Sequence, residues 1–373
     1  MALSIKLVTE VDAFERLGAD WNELVDAMEF PEIFYRWEWN DIFRKHFRAN
    51  DDLFVLIVRE GAGEILGLAP FCIRQARSLG VTVKVVETIV GGMSDYGNIF
   101  VRRGTHRGRI VSAILEFLRE QQAAWDVIDL WDLCTRDATT VHLLNLAPSY
   151  PDWSMRTHVS TGVAVRDLST TPAVENRKEM GRIRNRMKTL QSRGLRMEIG
   201  TKDFATYWPI FKALHRQVRP AGAFGRQGQE KFYDELVASP GLRDRIDLSV
   251  VELDGRPAAM HFGFVDDRKV YHYMPIMDRA FRKEGAGTVL LYAMIEHYRK
   301  TRQAFDFMRG LEAYKLWYTD ELDLNLRLVI YRSASLRAFA YNFAGVTRRY
   351  GVELGLPKAA AQLLRSWIGK TRR

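Results

Sequence analysis

The chain has 373 residues, 47% hydrophobic and 27% charged, a balance that excludes a disordered or fibrous protein and leaves room for two domains with their own cores. Its net charge is +9, but nine Lys/Arg and one acid (Glu353) fall between Arg332 and Arg373, so that segment carries +8 and the rest only +1. The basicity belongs to the C-terminal tail and points to one anionic contact, not to an RNA-binding surface along the whole protein.

Cys72 and Cys134 lie in apolar settings, APFCI and WDLCT, and read as core residues. The eight histidines show neither H-x-x-x-H nor C-x-x-C spacing, which argues against a zinc site, and no metal is expected. The N-terminus MALSIKLVTEVDAFERLGADW puts acids where a signal peptide needs an apolar stretch. No apolar run approaches the roughly 20 residues of a membrane span. The expected compartment is the cytoplasm.

In chain order, SIKLVT reads as a strand, Val11–Met28 as an amphipathic helix and Tyr35–His46 as a tryptophan-rich helix. Leu53–Arg59 and Ile65–Arg74 are strands joined by the turn EGAGE, Val81–Val90 is another, and the loop GGMSDYGN follows. Ile110, Ala113, Ile114 and Phe117 give Arg109–Gln122 a helical period, and WDVIDLWDL (125–133) is a buried strand. NRKEMGRIRNRMKTLQSRGLRMEI (176–199) is a basic helix ending at Gly194. It is either a solvated face packed on the second domain or a holder of an anionic ligand.

The second half repeats the order of the first. Ile246–Leu253, the turn DGRP and Ala258–Val265 form a hairpin matching Leu53–Arg74. Val270–Ile276 is a strand, Gly287–Lys300 a helix and Phe305–Met308 a buried strand. Gly108 to Asp129 spans 21 residues and Gly287 to Asp306 spans 19, each ending in an aromatic-Asp strand, WDVID or FDF. This suggests a duplicated α/β unit with a break near Pro148–Arg156, although ordinary α/β alternation produces similar orders.

The densest chemistry lies in VYHYMPIMDRAFRKEGAGTVLLYAMIEHY (270–298). A strand leads into Arg282-x-x-Gly285-x-Gly287 and a helix begins at once. Glycines let backbone N–H groups approach a phosphate, and the helix start adds partial positive charge. The loop is neither a Walker motif, lacking G-K-[ST], nor a Rossmann fingerprint. The equivalent stretch in the first half, Arg103 to Gly108, has His106 where Gly285 would stand, so the first half is expected to lack a donor site.

With these residues the chain resembles the CelD/BcsL-type GNAT N-acyltransferases, relatives of the Fem-type aminoacyltransferases. SDYGN (94–98), the basic helix, LHRQVR (214–219), the glycine loop and FDFMRGLEAYKLWY (305–318) carry the resemblance over about residues 5–331. Arg279 stands where many GNAT loops have proline. The resemblance implies an α/β fold of tandem GNAT-like domains, each a mixed, mostly antiparallel sheet flanked by helices. It divides the chain into a degenerate domain (1–155), an acyl-CoA-binding domain (156–331) and a basic tail (332–373).

It also implies roles. The backbone around Met277 would pair with pantetheine, and Gly285, Ala286, Gly287 and Thr288, aided by Arg282 and Lys283, would hold the pyrophosphate of acyl-CoA. Asp306 is a candidate base or a capping or ion-paired acid, and His215 and His261 are further candidate bases or structural histidines. Tyr314 would protonate the leaving thiolate. Lys315 would sit near the donor's phosphate or developing negative charge, with Glu312 orienting it or acting as base. The 43 aromatic residues could line an acyl channel, but they fit two α/β cores better.

In the tail, Leu336, Phe339, Phe343, Val346 and Tyr350 follow a helical period, and Pro357 opens a second basic amphipathic helix. Such helices either lie on an anionic membrane, here through residues 336–370, or cover a core. The expected reaction is acyl transfer from acyl-CoA to a primary amine: an amino sugar, or an envelope lipid such as a sphingoid-type amine, as in ceramide-synthase-like members of the branch. An aminoacyl-tRNA-dependent transferase and a non-catalytic scaffold at a membrane are the alternatives.

Overall fold

The computed structural model describes residues 3–61, 63–170, 177–225 and 229–353. Contacts divide the chain into a first unit, Met1–Ser160 with Leu324–Arg373, and a second, Thr161–Asp323. In chain order the elements are β1 (Leu3–Val8), α1 (Val11–Glu15), α2 (Gly18–Asp26), α3 (Trp37–Phe47), β2 (Asp52–Leu53), β3 (Val55–Glu60), β4 (Ile65–Ala69), β5 (Phe71–Ser78), β6 (Val81–Thr88) and β7 (Phe100–Val101). Then come α4 (Arg107–Glu120), β8 (Val127–Cys134), α5 (Ala138–Leu146), β9 (Trp153–Asp167), α6 (Arg177–Gln191), β10 (Arg196–Glu198), α7 (Phe204–Val218), α8 (Gln229–Ala238) and α9 (Pro240–Arg243). The last are β11 (Ile246–Leu253), β12 (Arg256–Val265), β13 (Lys269–Met277), α10 (Ala286–Tyr298), β14 (Ala304–Arg309), β15 (Leu322–Arg332) and α11 (Leu336–Glu353).

The mixed, mostly antiparallel α/β architecture is the expected one. In the first unit β5 pairs antiparallel with β6, which runs parallel to β8 after the crossover helix α4; β8 then pairs antiparallel with β15. In the second, β12 pairs antiparallel with β13, which runs parallel to β14 after α10; β14 then pairs antiparallel with β9. The same succession therefore occurs twice, each closed by a strand from elsewhere in the chain.

Several expected elements are split. Leu53–Arg59 breaks at Phe54 and Ile65–Arg74 breaks at Pro70, because β2 and β5 pair with each other while β3 and β4 pair in a separate sheet with β1 and β7. The expected helix Val11–Met28 is two helices, broken between Glu15 and Gly18.

The first unit's core gathers Leu56, Phe71, Ile114, Leu118, Trp125 and Leu328 among others. The second centres on α10, which is buried around most of its girth: α6 covers it through Met180, Ile183 and Leu190, opposite Val251, Ala259 and Phe305 of the sheet. Cys72 and Cys134 are buried and free, and burial pushes the Cys72 thiol up to about 12.

The described start of the tail packs through small residues and not through its apolar stripe. Among the described side chains of α11 the buried ones are Ala338 and Ala340, and Tyr341 donates its hydroxyl to Asp129 at 2.5 Å. Leu336, Phe339 and Phe343 are instead 86%, 62% and 46% exposed. Small residues let the helix start sit close on β5 and β6, leaving these three bulky side chains outward. The expected second helix after Pro357 lies outside the described residues. No helix among the described residues is long and apolar enough to cross a membrane.

Candidate active site

The site grows from a splayed strand pair. β13 pairs with β14 only where Lys269–Tyr271 face Ala304–Asp306. Beyond that, Arg309 of β14 faces Val163 of β9 after a register shift, and β13 from His272 to Met277 has no β14 partner. Met308 takes a left-handed conformation (φ 60°) at this shift.

Two buried groups hold the departure. Asp306 Oδ1 accepts the Met308 N–H at 2.8 Å while Oδ2 receives Lys269 Nζ at 3.0 Å. Lys315 Nζ donates to the carbonyls of Met308 (3.2 Å), Arg309 (2.9 Å) and Gly310 (3.0 Å) and pairs with Glu312 at 2.8 Å. Thus Asp306 takes the N–H, and Lys315 the carbonyls, of the backbone that turns away.

The opened wedge is a cavity of about 550 Å³. One wall is the start of α10. Asp278 caps a short turn by accepting the Ala280 N–H at 2.9 Å, and the chain passes through Gly285 in the left-handed region (φ 64°). The N–H groups of Thr288 and Val289 both return to the Gly285 carbonyl, and the Gly287 N–H meets the Met277 thioether at 3.4 Å. The buried lining is mostly apolar, with Met260, Ile276, Leu290 and Leu291.

The exposed side of the cavity carries Arg186 from α6, Arg219 after α7, and Arg279 and Arg282 before α10. Arg279 donates to the Val218 carbonyl at 3.1 Å. Arg186, Arg219 and Arg282 have no ion-pair partner among the described residues. With the helix N-terminus, these guanidiniums put positive charge on that side of the cavity.

Of the residues singled out from the sequence, Met277, Arg282, Gly285, Gly287, Thr288 and Tyr314 line this cavity. Burial and Glu312 push the Tyr314 phenol up to about 12, against an opposing Arg219, so it stays protonated and able to donate. Ala286 is buried in the core beneath the wall, and Lys283 is exposed away from the lining.

Asp306 sits on a buried strand between Phe305 and Phe307 of the core and is committed to Lys269 and Met308. The Lys315 ammonium faces carbonyls, not the cavity. Glu312 is 59% exposed in its side chain, and its carboxyl is held low: burial raises it, but Lys315 outweighs that.

His215 lies under Phe224, ring centroids 5.0 Å apart, with its pKa lowered to about 4 by burial and Arg219. His261 is fully buried; its Nδ1 faces Asp247 Oδ1 at 3.0 Å and its Nε2 accepts the Tyr273 N–H at 3.2 Å. Neither lines the cavity.

Residue-by-residue reading passed over His272, which does line it. Its signal was a polar side chain in the run VYHYM, otherwise apolar and aromatic. Arg186 belongs to the basic helix weighed as a holder of an anionic ligand, and Arg219 lies in LHRQVR, which carried no assigned role. Among the described residues no group of three or more His, Cys, Asp or Glu side chains is placed to hold a metal.

In the first unit the corresponding place between β6 and β8 is occupied by the chain itself: Gly97 bridges Leu133 in parallel and its N–H donates to the Asp132 carbonyl at 3.0 Å. A Cβ there would stand 2.6 Å from the Trp131 carbonyl oxygen, so only glycine fits. The inserted SDYGN segment closes this wedge, and His106 is simply the residue before α4.

Residues 177–316 match the family model described as Acetyltransferase (GNAT) domain. Among solved structures the chain is similar to FemX, at 12% identity over 91% of this chain and 99% of that one, with a TM-score of 0.59. It is also similar to the C-terminal domain of a "putative lysylphosphatidylglycerol synthetase" from Agrobacterium fabrum (11% identity, 90% and 97% covered, TM-score 0.56). L-PGS from Bacillus licheniformis is similar at 13% identity, 89% and 95% covered, TM-score 0.50. At these identities the likeness is one of fold. No curated protein sequence matches the chain. The second unit thus has a GNAT-type acyltransferase fold.

Proposed function

We propose that this GNAT-type domain transfers an acyl group from a CoA thioester to a primary amine. The observation that carries the reading is one cavity in which an unpaired strand edge meets a helix N-terminus rimmed by four arginines. Its size falls within the roughly 300–1,000 Å³ of small-molecule sites. The free edge of β13 suits the amides of a pantetheine arm, and the helix start with Arg186 and Arg282 suits its phosphates. The apolar interior suits the acyl group. Tyr314, held protonated, would supply the proton that the leaving thiolate needs.

For the acceptor we favour an envelope amine, either a sphingoid-type lipid or an amino sugar. The exposed Leu336, Phe339 and Phe343 beside a basic tail support a lipid at an anionic membrane. The exposed arginine rim and the fold shared with FemX support a second reading, in which the donor is an aminoacyl-tRNA and affinity falls steeply with salt.

The test is a donor screen by thermal shift and mass spectrometry with acetyl-CoA, palmitoyl-CoA and charged tRNA. A CoA thioester should raise the melting temperature, and Tyr314→Phe should lower kcat while leaving donor binding intact. If no CoA thioester stabilises the protein, the reading is wrong; if charged tRNA alone does, the second one replaces it.

A further inference from the structure

His272 follows the last β13 residue paired with β14, Tyr271 opposite Asp306, and so stands at the apex of the wedge. It is only 4% exposed, yet it lines the cavity. Its Nδ1 is buried without a hydrogen-bond partner among the described residues. Buried polar atoms are ordinarily satisfied, so an open imidazole at a cavity apex is a place prepared for a ligand's polar atom.

The ring is held without using Nδ1. It stacks on His261, centroids 4.8 Å apart and planes 6° from parallel, and packs against Phe305 (5.7 Å) and Phe307 (6.2 Å). His261 is itself fixed by Asp247 and by the Tyr273 N–H. Asp247 in turn accepts the hydroxyls of Ser249 and Tyr298, and these bonds keep it ionised although burial opposes that. The charged and titratable groups that act on His272 are His261 on β12 and Lys315 beyond β14, with Tyr314 on the same cavity lining. Among the described residues no carboxylate acts on it. Burial first, then His261 and Lys315, hold its pKa well below the ordinary value, so the ring is neutral and has one nitrogen open to accept a proton.

Resting on the acyl-transfer reading above, we infer that His272 is the base that takes the proton from the amine acceptor. As the amine nitrogen bonds to the thioester carbonyl carbon and the C–S bond breaks, the N–H proton passes to the open imidazole nitrogen. The departing thiolate takes the phenolic proton of Tyr314. The imidazolium then yields its proton to solvent and the phenolate regains one, so an amide and a thiol are the net products. A weak base suffices, because a nitrogen bonding to a carbonyl carbon loses its proton far more readily than a free ammonium does. An imidazolium near Lys315 also releases that proton promptly.

The test uses the full chain, with palmitoyl-CoA or acetyl-CoA as donor and sphinganine, glucosamine and lysine as acceptors. His272→Gln keeps hydrogen-bonding capacity but cannot carry the proton. It should keep the donor Kd within about threefold while kcat falls about 100-fold or more, and added imidazole should restore part of the rate to His272→Ala. A kcat for His272→Gln within about threefold of wild type overturns the proposal, as does a loss of donor affinity equal to the loss of rate. A wild-type protein that binds no CoA thioester overturns the acyl-transfer reading itself, and that binding measurement separates the two failures. Should the variants not fold, or should wild type turn over none of the acceptors, ¹⁵N spectra of the wild-type histidine rings decide. The His272 ring should be neutral at neutral pH and its resonances should move when palmitoyl-CoA binds; unmoved resonances overturn the proposal.

Discussion

The guanidinium of Arg186 occupies the space that a Cβ on Gly285 would need. Gly285 also has a φ of 64°, where a side chain costs about 1–2 kcal/mol. Gly285→Ala therefore faces backbone strain and a displaced arginine together. It should lower donor affinity at least tenfold and the melting temperature by a few degrees, at about 2–4 °C per kcal/mol. Donor titration and thermal melting check this, and unchanged affinity would remove the loop from the donor site.

Arg282→Ala should weaken donor binding without slowing the chemical step. A charge-assisted hydrogen bond is worth about 1.5–3 kcal/mol, or roughly 10- to 150-fold in Kd. Calorimetric titration reads the affinity, and the variant's binding should also vary less with salt.

Lys315 and Glu312 form one ion pair but should respond unequally to substitution. Lys315 is 3% exposed and serves three carbonyls, whereas Glu312 is 59% exposed. Lys315→Met strands those carbonyls and should cost about 1–3 kcal/mol; Glu312→Gln should cost less than about 1 kcal/mol. Because the Glu312 carboxyl is held low, its small contribution is complete above its unfolded value of 4.5 and fades as pH falls through the lowered folded value. Urea unfolding of the two variants gives the comparison.

His215 has a folded pKa of about 4 against an ordinary 6.5. Between those values the unfolded chain binds a proton that the folded chain does not, so stability falls as pH drops through this window, by up to about 3 kcal/mol. His215→Leu should flatten that slope relative to wild type, as measured by urea unfolding near about pH 7 and about pH 5. A slope equal to wild type would assign the loss to other groups.

The outward face of α11 should serve binding and not stability. Replacing Leu336, Phe339 and Phe343 together by Ser removes apolar groups already 46–86% exposed, so the melting temperature should hold. Co-sedimentation with anionic liposomes should be lost. Equal pelleting of both forms would end the membrane role for this face.

Much of the second unit was legible in the residues themselves. Ile246–Leu253, Ala258–Val265 and Gly287–Lys300 appear within two residues of their expected bounds, because apolar period and turn residues are local signals. The glycine loop was legible for the same reason: a left-handed residue before a helix is a property of a few consecutive positions. The strand breaks at Phe54 and Pro70 were not, because they depend on which distant strand each segment pairs with.

The polar residues of FDFMRGLEAYK show the same limit from the side of chemistry. By type, Asp306 and Glu312 suit a base and Lys315 suits the donor's negative charge, yet in the structure Asp306 and Lys315 hold the backbone that opens the wedge. His272, which carries no motif of its own in the sequence, lines the cavity. Sequence alone determined the order of elements, the glycine loop before α10 and the basic composition of the tail, all of which rest on near-neighbour spacing. Only the tertiary structure decided which polar groups face the cavity, because that depends on where β13 and β14 part and on which buried partners already claim each side chain.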